Sequence, residues 1–392
     1  MKKLIAIAVV FALVMGGVFA ETSVGGFTVG KITLGQGETG TDSKASGGAS
    51  VRLQLSGQNE EGTFGGQFRV DGDAWLGASR VFTVKDGDDT VGTFTQNWSG
   101  LKDLRSNVWW KPIDILKIQL GPGLDGSFGV GDANTGWGFY AGVNDLDIWN
   151  YSGFNGDGFG GTGTNGTGLL LSVYPISGLD VNMFLPFNGT KDVLDVYKKF
   201  YAEVVYKIDN IGTVKAGFQS NTFDLGNPAR IGVSFDLSAL NAMGLSLAFK
   251  LHTGFPTADD DAATTRTEWL YMNLGVGYTA GDFNVKLRFK GQFLGKTTIG
   301  DAEPVKDDAM IGFGLFPNYK VGNLFVGVGF DVRVDQISDD ETKDPRIIWH
   351  TSPFVQYSVG PGKFQMGLNV GTTSGAKDKL RWEIPLRIGF NF

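Results

Sequence analysis

Lys286, Arg288 and Lys290 stand two residues apart in the segment 283–293. On an extended strand that spacing puts all three side chains on one face. The result is a cationic ladder, and rows of fixed Lys and Arg attract anions. Val285, Leu287 and Phe289 lie between them, so the opposite face is apolar. The same division recurs. Arg381, Glu383 and Arg387 alternate with Leu380, Trp382, Ile384, Leu386 and Ile388. Asp331 and Arg333 alternate with Val328, Phe330 and Val332, and Arg52 sits between Val51 and Leu53. Arg69, Lys215 and Lys250 hold equivalent polar positions in their own alternating segments.

Other chemistries fail on spacing or context. Nucleophilic catalysis needs a His beside a nucleophile, and the chain has 2 His, His252 and His350. His350 is two residues from Ser352, which places both on one strand face without making a triad. No enzyme activity is expected. Gly121–Gly126 and Gly158–Gly163 fit G-x-G-x-x-G, yet neither opens a helix after a strand, so no dinucleotide site follows. Gly291–Thr297 is one residue short of a P-loop. The runs 86–89 and 259–261 are rich in Asp but lack EF-hand spacing, and read as solvated loop charge. No cofactor and no metal are expected. The net charge of −7 and the lack of a basic patch argue against nucleic acid as a partner.

The elements that position the charged faces are strands. Glycine is 60 of 392 residues, about twice the usual ~7%, and aromatics reach 12%. Long helix-forming runs are missing. The segment 379–392 alternates for longer than the five or six residues usual in a soluble strand. Short connections at 58–62, 112–114, 176–179, 209–212, 240–243, 280–282, 318–321 and 360–362 alternate with long polar ones. Two further segments, 80–84 and 92–96, have strand character. The count reaches about eighteen strands, with sixteen as the alternative.

The apolar faces are too many for helices or a second sheet to cover, so they face lipid and the polar faces line a lumen. Trp109, Trp110, Tyr174, Tyr206, Tyr278, Tyr357, Phe390 and Phe392 lie near strand ends, where interfacial girdles belong. On that assignment Lys117, Lys207, Arg230 and Lys363 join the lumen basics named above, against Asp71, Asp180, Glu203, Asp236, Glu268 and Asp335 beside Asp331 and Glu383. The lumen is then net positive and the loops carry the acid. Inward glycines such as Gly65, Gly277, Gly312, Gly314, Gly327 and Gly329 suggest an open lumen.

The first twenty residues stand apart. Lys2 and Lys3 precede the apolar run 4–14, and Val18, Phe19 and Ala20 form a small-x-small cleavage pattern. This is a secretory signal, and 21–392 is a single barrel domain. Loss of Lys2 and Lys3 takes the net charge from −7 to −9.

With these features the chain resembles bacterial outer-membrane porins. The ending Ile388-Gly389-Phe390-Asn391-Phe392 is similar to the signal that such barrels present to the barrel assembly machinery, with Ile388, Phe390 and Phe392 as its apolar positions. The resemblance implies an all-β, up-and-down transmembrane barrel in the outer membrane, facing lipid. Small hydrophilic solutes would pass by diffusion, with a weak anion preference, and a homotrimer is the common assembly. It also implies that the long loop 123–167, with Trp137, Phe139, Tyr140, Trp149 and Tyr151, folds inward as a constriction. An outer cap and a sugar-stacking track are the other readings of that loop. A surface adhesin and a sugar-type specific channel are the alternatives for the whole chain.

The mature protein is expected to begin at Glu21. N-terminal sequencing of the exported form checks this, and a retained segment 1–20 would contradict it.

Overall fold

The computed structural model describes residues 21–38, 44–86, 89–122, 167–187, 200–219, 229–255, 264–266, 269–293, 296–299, 305–306, 309–337, 346–373 and 376–392. The signal segment 1–20 and loop residues 123–166 lie outside them. The described chain is almost wholly strand. β1 (Glu21–Glu38), β2 (Lys44–Gln58), β3 (Phe64–Asp86), β4 (Asp89–Ile113), β5 (Leu116–Pro122) and β6 (Thr167–Ile176) open the sheet. β7 (Leu179–Pro186), β8 (Tyr201–Ile208), β9 (Gly212–Gln219), β10 (Ala229–Asp236), β11 (Leu245–Phe255) and β12 (Trp269–Ala280) continue it. β13 (Phe283–Phe293), β14 (Ala309–Val321), β15 (Leu324–Ile337), β16 (Arg346–Val359), β17 (Gly362–Gly367 with Asn369–Thr373) and β18 (Ala376–Asn391) complete it. A 3-10 turn, Ser238–Met243, joins β10 to β11.

Every strand pairs antiparallel with its sequence neighbours, and β1 pairs with β18 from Phe27↔Asn391 to Glu38↔Arg381. Two further bonds, Gly26 N to Phe392 O at 2.9 Å and Phe392 N to Gly26 O at 3.1 Å, finish the seam. The sheet is therefore a closed 18-strand barrel. Three short strands, Thr264–Arg266, Lys296–Ile299 and Val305–Lys306, form a separate small sheet in the long connections. The eighteen-strand expectation holds and the sixteen-strand one does not. The extra strand signals at 80–84 and 92–96 belong to β3 and β4, which run 23 and 25 residues as one long hairpin. At ~3.3 Å per residue these strands reach well past a bilayer core of ~30 Å.

The two faces carry the inverse of a soluble core. Val51, Trp110, Phe313, Phe330 and Ile388 are between 42% and 59% exposed on the outside, whereas Arg69, Lys290, Arg333 and Glu383 are at most 8% exposed within. Large apolar side chains are normally buried and charged ones exposed, so this outer surface is built for hydrocarbon. Trp110, Tyr206, Tyr278, Tyr319 and Tyr357 crowd the end that bears the short turns, and all are exposed.

Two local expectations are corrected. The turn expected at 318–321 lies instead at 322–323, where Gly322 adopts φ 56°. Pro317 and Asn318 imitate a turn signal but continue β14, with Asn318 paired to Gly327. Trp109 does not join the girdle, because neighbouring residues on a strand face opposite sides and Trp110 takes the outward position. Proline also marks the ladder. Leu368 N donates to Pro353 O at 3.0 Å, and Pro353 has no N–H to return. β17 breaks at Leu368.

Leu287 is outward and 37% exposed. Leu287→Arg should cost about 2–4 kcal/mol of membrane folding near the midplane, while the inward Ser246→Arg is tolerated. Urea titration in liposomes measures both; equal losses would contradict the face assignment.

Candidate functional site: the polar interior

Two walls concentrate charge. On β11–β15 one cross-sheet row runs Lys250↔Asn273↔Lys290↔Gly312↔Arg333. The row beside it runs Gly275↔Arg288↔Gly314↔Asp331↔His350. Lys286 completes the ladder on β13 and is half-buried. Gly312 and Gly314 place no side chain between the cations of β13 and those of β15. Elsewhere inward glycines make room that neighbours occupy. A Cβ on Gly277 would strike Ser246 Oγ and approach Lys286 Cγ to 3.8 Å, one on Gly327 would overlap the Phe354 ring, and one on Gly65 would overlap the Trp109 indole. At Gly65, Gly277 and Gly327 the space is therefore taken by neighbouring side chains rather than left open. Lys250, Lys290, His350 and Glu383 are at most 1% exposed, so along these walls the polar side chains are packed among neighbours.

The second wall lies across the barrel, since β3 and β12 are half a ring apart. Arg52, Arg69 and Arg105 face inward on β2, β3 and β4, with Arg69 registered against Arg105. Asp71 holds two of them. Arg52 Nε donates to Asp71 Oδ1 at 2.7 Å and its Nη2 to Oδ2 at 3.1 Å. Arg69 Nη2 donates to Asp71 Oδ2 at 2.6 Å. The Arg52 guanidinium also lies 4.9 Å from the centroid of the Phe27 ring. Buried charge persists only when paired and hydrogen-bonded, so Asp71 is what permits two arginines on one stretch of wall.

Between the walls, β15–β18 carry a polar chain. His350 Nε2 and Ser352 Oγ are 2.9 Å apart. The Ser352 hydroxyl donates to Asn369 Oδ1 at 2.6 Å, and Asn369 Nδ2 donates to Glu383 Oε1. His350 Nδ1 faces Asp331 Oδ2 at 3.5 Å. The order of residues imitates a Ser-His-Asp triad. However, the serine proton is directed to Asn369, and Ser352 is 1% exposed, so the hydroxyl is neither activated by His350 nor open to a substrate. The remaining sector, β6–β8, is partly apolar. Leu170, Phe184 and Tyr201 pack together, and Asn182 Nδ2 donates to Glu203 Oε1 at 3.0 Å.

Of the other expected positions, Lys215 and Arg387 are inward and half-buried. The side chains of Arg381 and His252 lie outside the described residues, as do Trp137, Phe139, Tyr140, Trp149 and Tyr151. Ile388, Phe390 and Phe392 are exposed on the outer face. Sequence reasoning missed Arg105 and Asn273. Arg105 comes just after the long polar stretch 73–103, and Asn273 carries no charge to draw notice. Their alternation with Leu104 and Val108, and with Met272 and Leu274, was the available signal.

A closed antiparallel sheet with an apolar exterior and a charged interior is a transmembrane β-barrel of porin architecture. Its fold is similar to a BenF-like porin from Pseudomonas fluorescens Pf-5, with TM-score 0.60 and 9% identity over 95% of this chain and 99% of that one. It is similar as well to OpdL of Pseudomonas aeruginosa, with TM-score 0.60, 11% identity, and 95% and 99% of the two chains covered. OccAB3 of Acinetobacter baumannii gives TM-score 0.61 at 10% identity, with the same coverage of 95% and 99%. No protein-family model matches the chain, and no curated protein matches it by sequence.

Asp71→Asn should destabilise the barrel by about 3 kcal/mol, because it leaves two arginines in a largely buried place without their counter-charge. The midpoint of heat-induced unfolding on an unboiled gel reads this directly; an unchanged midpoint would mean that solvent already screens the cluster.

Proposed function

We propose that the chain is an outer-membrane porin, a passive channel for small hydrophilic solutes with a preference for anions. The observation that carries this reading is the double basic lining. Lys250, Lys286, Arg288, Lys290 and Arg333 on one wall oppose Arg52, Arg69 and Arg105 on the other. Charged rings of this sign favour anions, and low-dielectric walls strengthen their field. Asp71, Asp331, Glu203 and Glu383 offset part of that charge, which makes the preference weak. The near-complete burial of Lys250 and Lys290 makes this level a contact filter rather than a wide bore. The short-turn end is periplasmic on this reading, and the long segments face outward.

A channel rather than an enzyme is favoured by the state of Ser352, whose hydroxyl is committed to Asn369. The exposed alternation of Ile388, Phe390 and Phe392 supports recognition of the last strand by the barrel assembly machinery. Self-association as a homotrimer would use the same apolar outer band.

Reconstituted protein in a planar bilayer should give stepwise conductance, and a salt gradient should give a reversal potential of the sign set by anion flow. Lys286→Gln, Arg288→Gln and Lys290→Gln combined should move that potential toward zero or past it, with unboiled-gel mobility confirming the fold. Cation preference in the parent protein would contradict the electrostatic reading. A folded barrel without conductance would contradict the pore.

A further inference from the structure

The interior changes character toward the short turns. Mid-barrel inward residues include Lys and Arg set among Asp, Glu and His, while at the turn end carboxamides stand beside a few charged groups such as Lys117 and the Lys207–Asp180 pair. On β13–β17 these amides are spent on one another. Asn318 Nδ2 donates to Asn284 Oδ1 at 3.1 Å, and Asn284 Nδ2 donates to Thr279 Oγ1 at 2.6 Å. Gln365 Nε2 donates to Gln356 Oε1 at 2.8 Å, and Gln356 Nε2 donates to Ser358 Oγ at 3.1 Å.

On β1–β5 the charged groups are the ones already engaged. Gln58 Nε2 donates to Glu21 Oε2 at 2.6 Å. The ammonium groups of Lys117 and Lys111 lie 5.0 and 5.7 Å from the Trp109 ring centroid. Ser23 and Ser56 share a hydrogen bond of 2.7 Å. The carboxamides of Gln67 and Gln119 and the Trp109 indole N–H make no side-chain hydrogen bond among the described residues. All three border a recess of about 640 Å³, a volume within the usual range for small-molecule sites. Gly65 seats the indole against the wall, because any Cβ there would overlap it.

We propose that this recess is a binding station for neutral polyhydroxylated solutes, the sugar class, at the periplasmic exit of the lumen. Its placement at an exit rests on the pore reading; the binding itself does not. Each carboxamide offers donors and an acceptor, as each sugar hydroxyl does. The Lys117 ammonium borders the same recess and keeps its charge over the indole, but the hydrogen-bonding groups left without a side-chain partner are the neutral ones. They sit on three adjacent strands, Gln67 on β3, Trp109 on β4 and Gln119 on β5, where one small solute can reach all three.

Maltose is the probe. Calorimetric titration of the full-length barrel in detergent should show binding, and Gln67→Ala with Gln119→Ala should weaken it by on the order of tenfold or more. Asn284→Ala, in the self-paired collar across the barrel, should leave it unchanged. No maltose binding by a barrel that conducts would overturn the station and leave the pore standing. Maltose binding indifferent to the double substitution would also overturn it, by placing the sugar elsewhere. Binding that follows the double substitution in a barrel that does not conduct would support the station and overturn the pore.

Discussion

The pairing of β1 with β18 is the interaction on which the rest of the molecule depends. Hydrocarbon offers no partner for an amide or a carbonyl, so a sheet in lipid must satisfy every edge by closing. Here the first and last strands meet from Phe27↔Asn391 to Glu38↔Arg381, and Phe392 bonds Gly26 in both directions. Closure then decides which way each side chain points. One face of every strand meets lipid and the other meets its opposite numbers across the lumen, with a period of two. The position of Leu287 outside and of Arg288 inside follows from that seam.

An interior lined with cations poses an electrostatic difficulty that the barrel answers locally. Asp71 serves Arg52 and Arg69 together. Asp331 stands next to the basic rows of β13 and β15 and faces His350. Glycine answers the steric part: Gly312 and Gly314 leave the sector between two rows of long basic side chains without side chains of its own, and Gly65 lets an indole lie on the wall. The small residues thus serve packing inside the barrel rather than flexibility of the chain. The densest rows of charge lie mid-barrel, and carboxamides such as Asn284, Asn318, Gln356 and Gln365 bond one another nearer the short turns.

Much of this was legible in the residue order. Strict alternation over 379–392 and 283–293 gave the strands, their faces and the count, because a half-lipid, half-lumen wall admits no other period. The errors have specific causes. Pro317-Asn318 carries turn chemistry inside a strand, and the ladder tolerates it by giving up pairing locally. Trp109 and Trp110 could not both face lipid, and choosing between them required the register. The pairing of Arg52 and Arg69 on Asp71 and the Ser352–Asn369–Glu383 chain depend on cross-strand neighbours, which one strand's pattern does not contain. The glycines misled because an absent side chain looks the same in sequence whether the space is left empty or taken by a neighbour.

The chain has no Cys, so single cysteines report accessibility without background. Placed one at a time along 284–290 in membrane-reconstituted protein, they can be challenged with a small water-soluble, membrane-impermeant thiol reagent. Reaction is expected at 284 and 286, slower reaction at the buried positions 288 and 290, and none at 285, 287 and 289. Reaction at the odd positions, or at no position along the strand, would contradict a polar, water-reached interior enclosed by a lipid-facing wall.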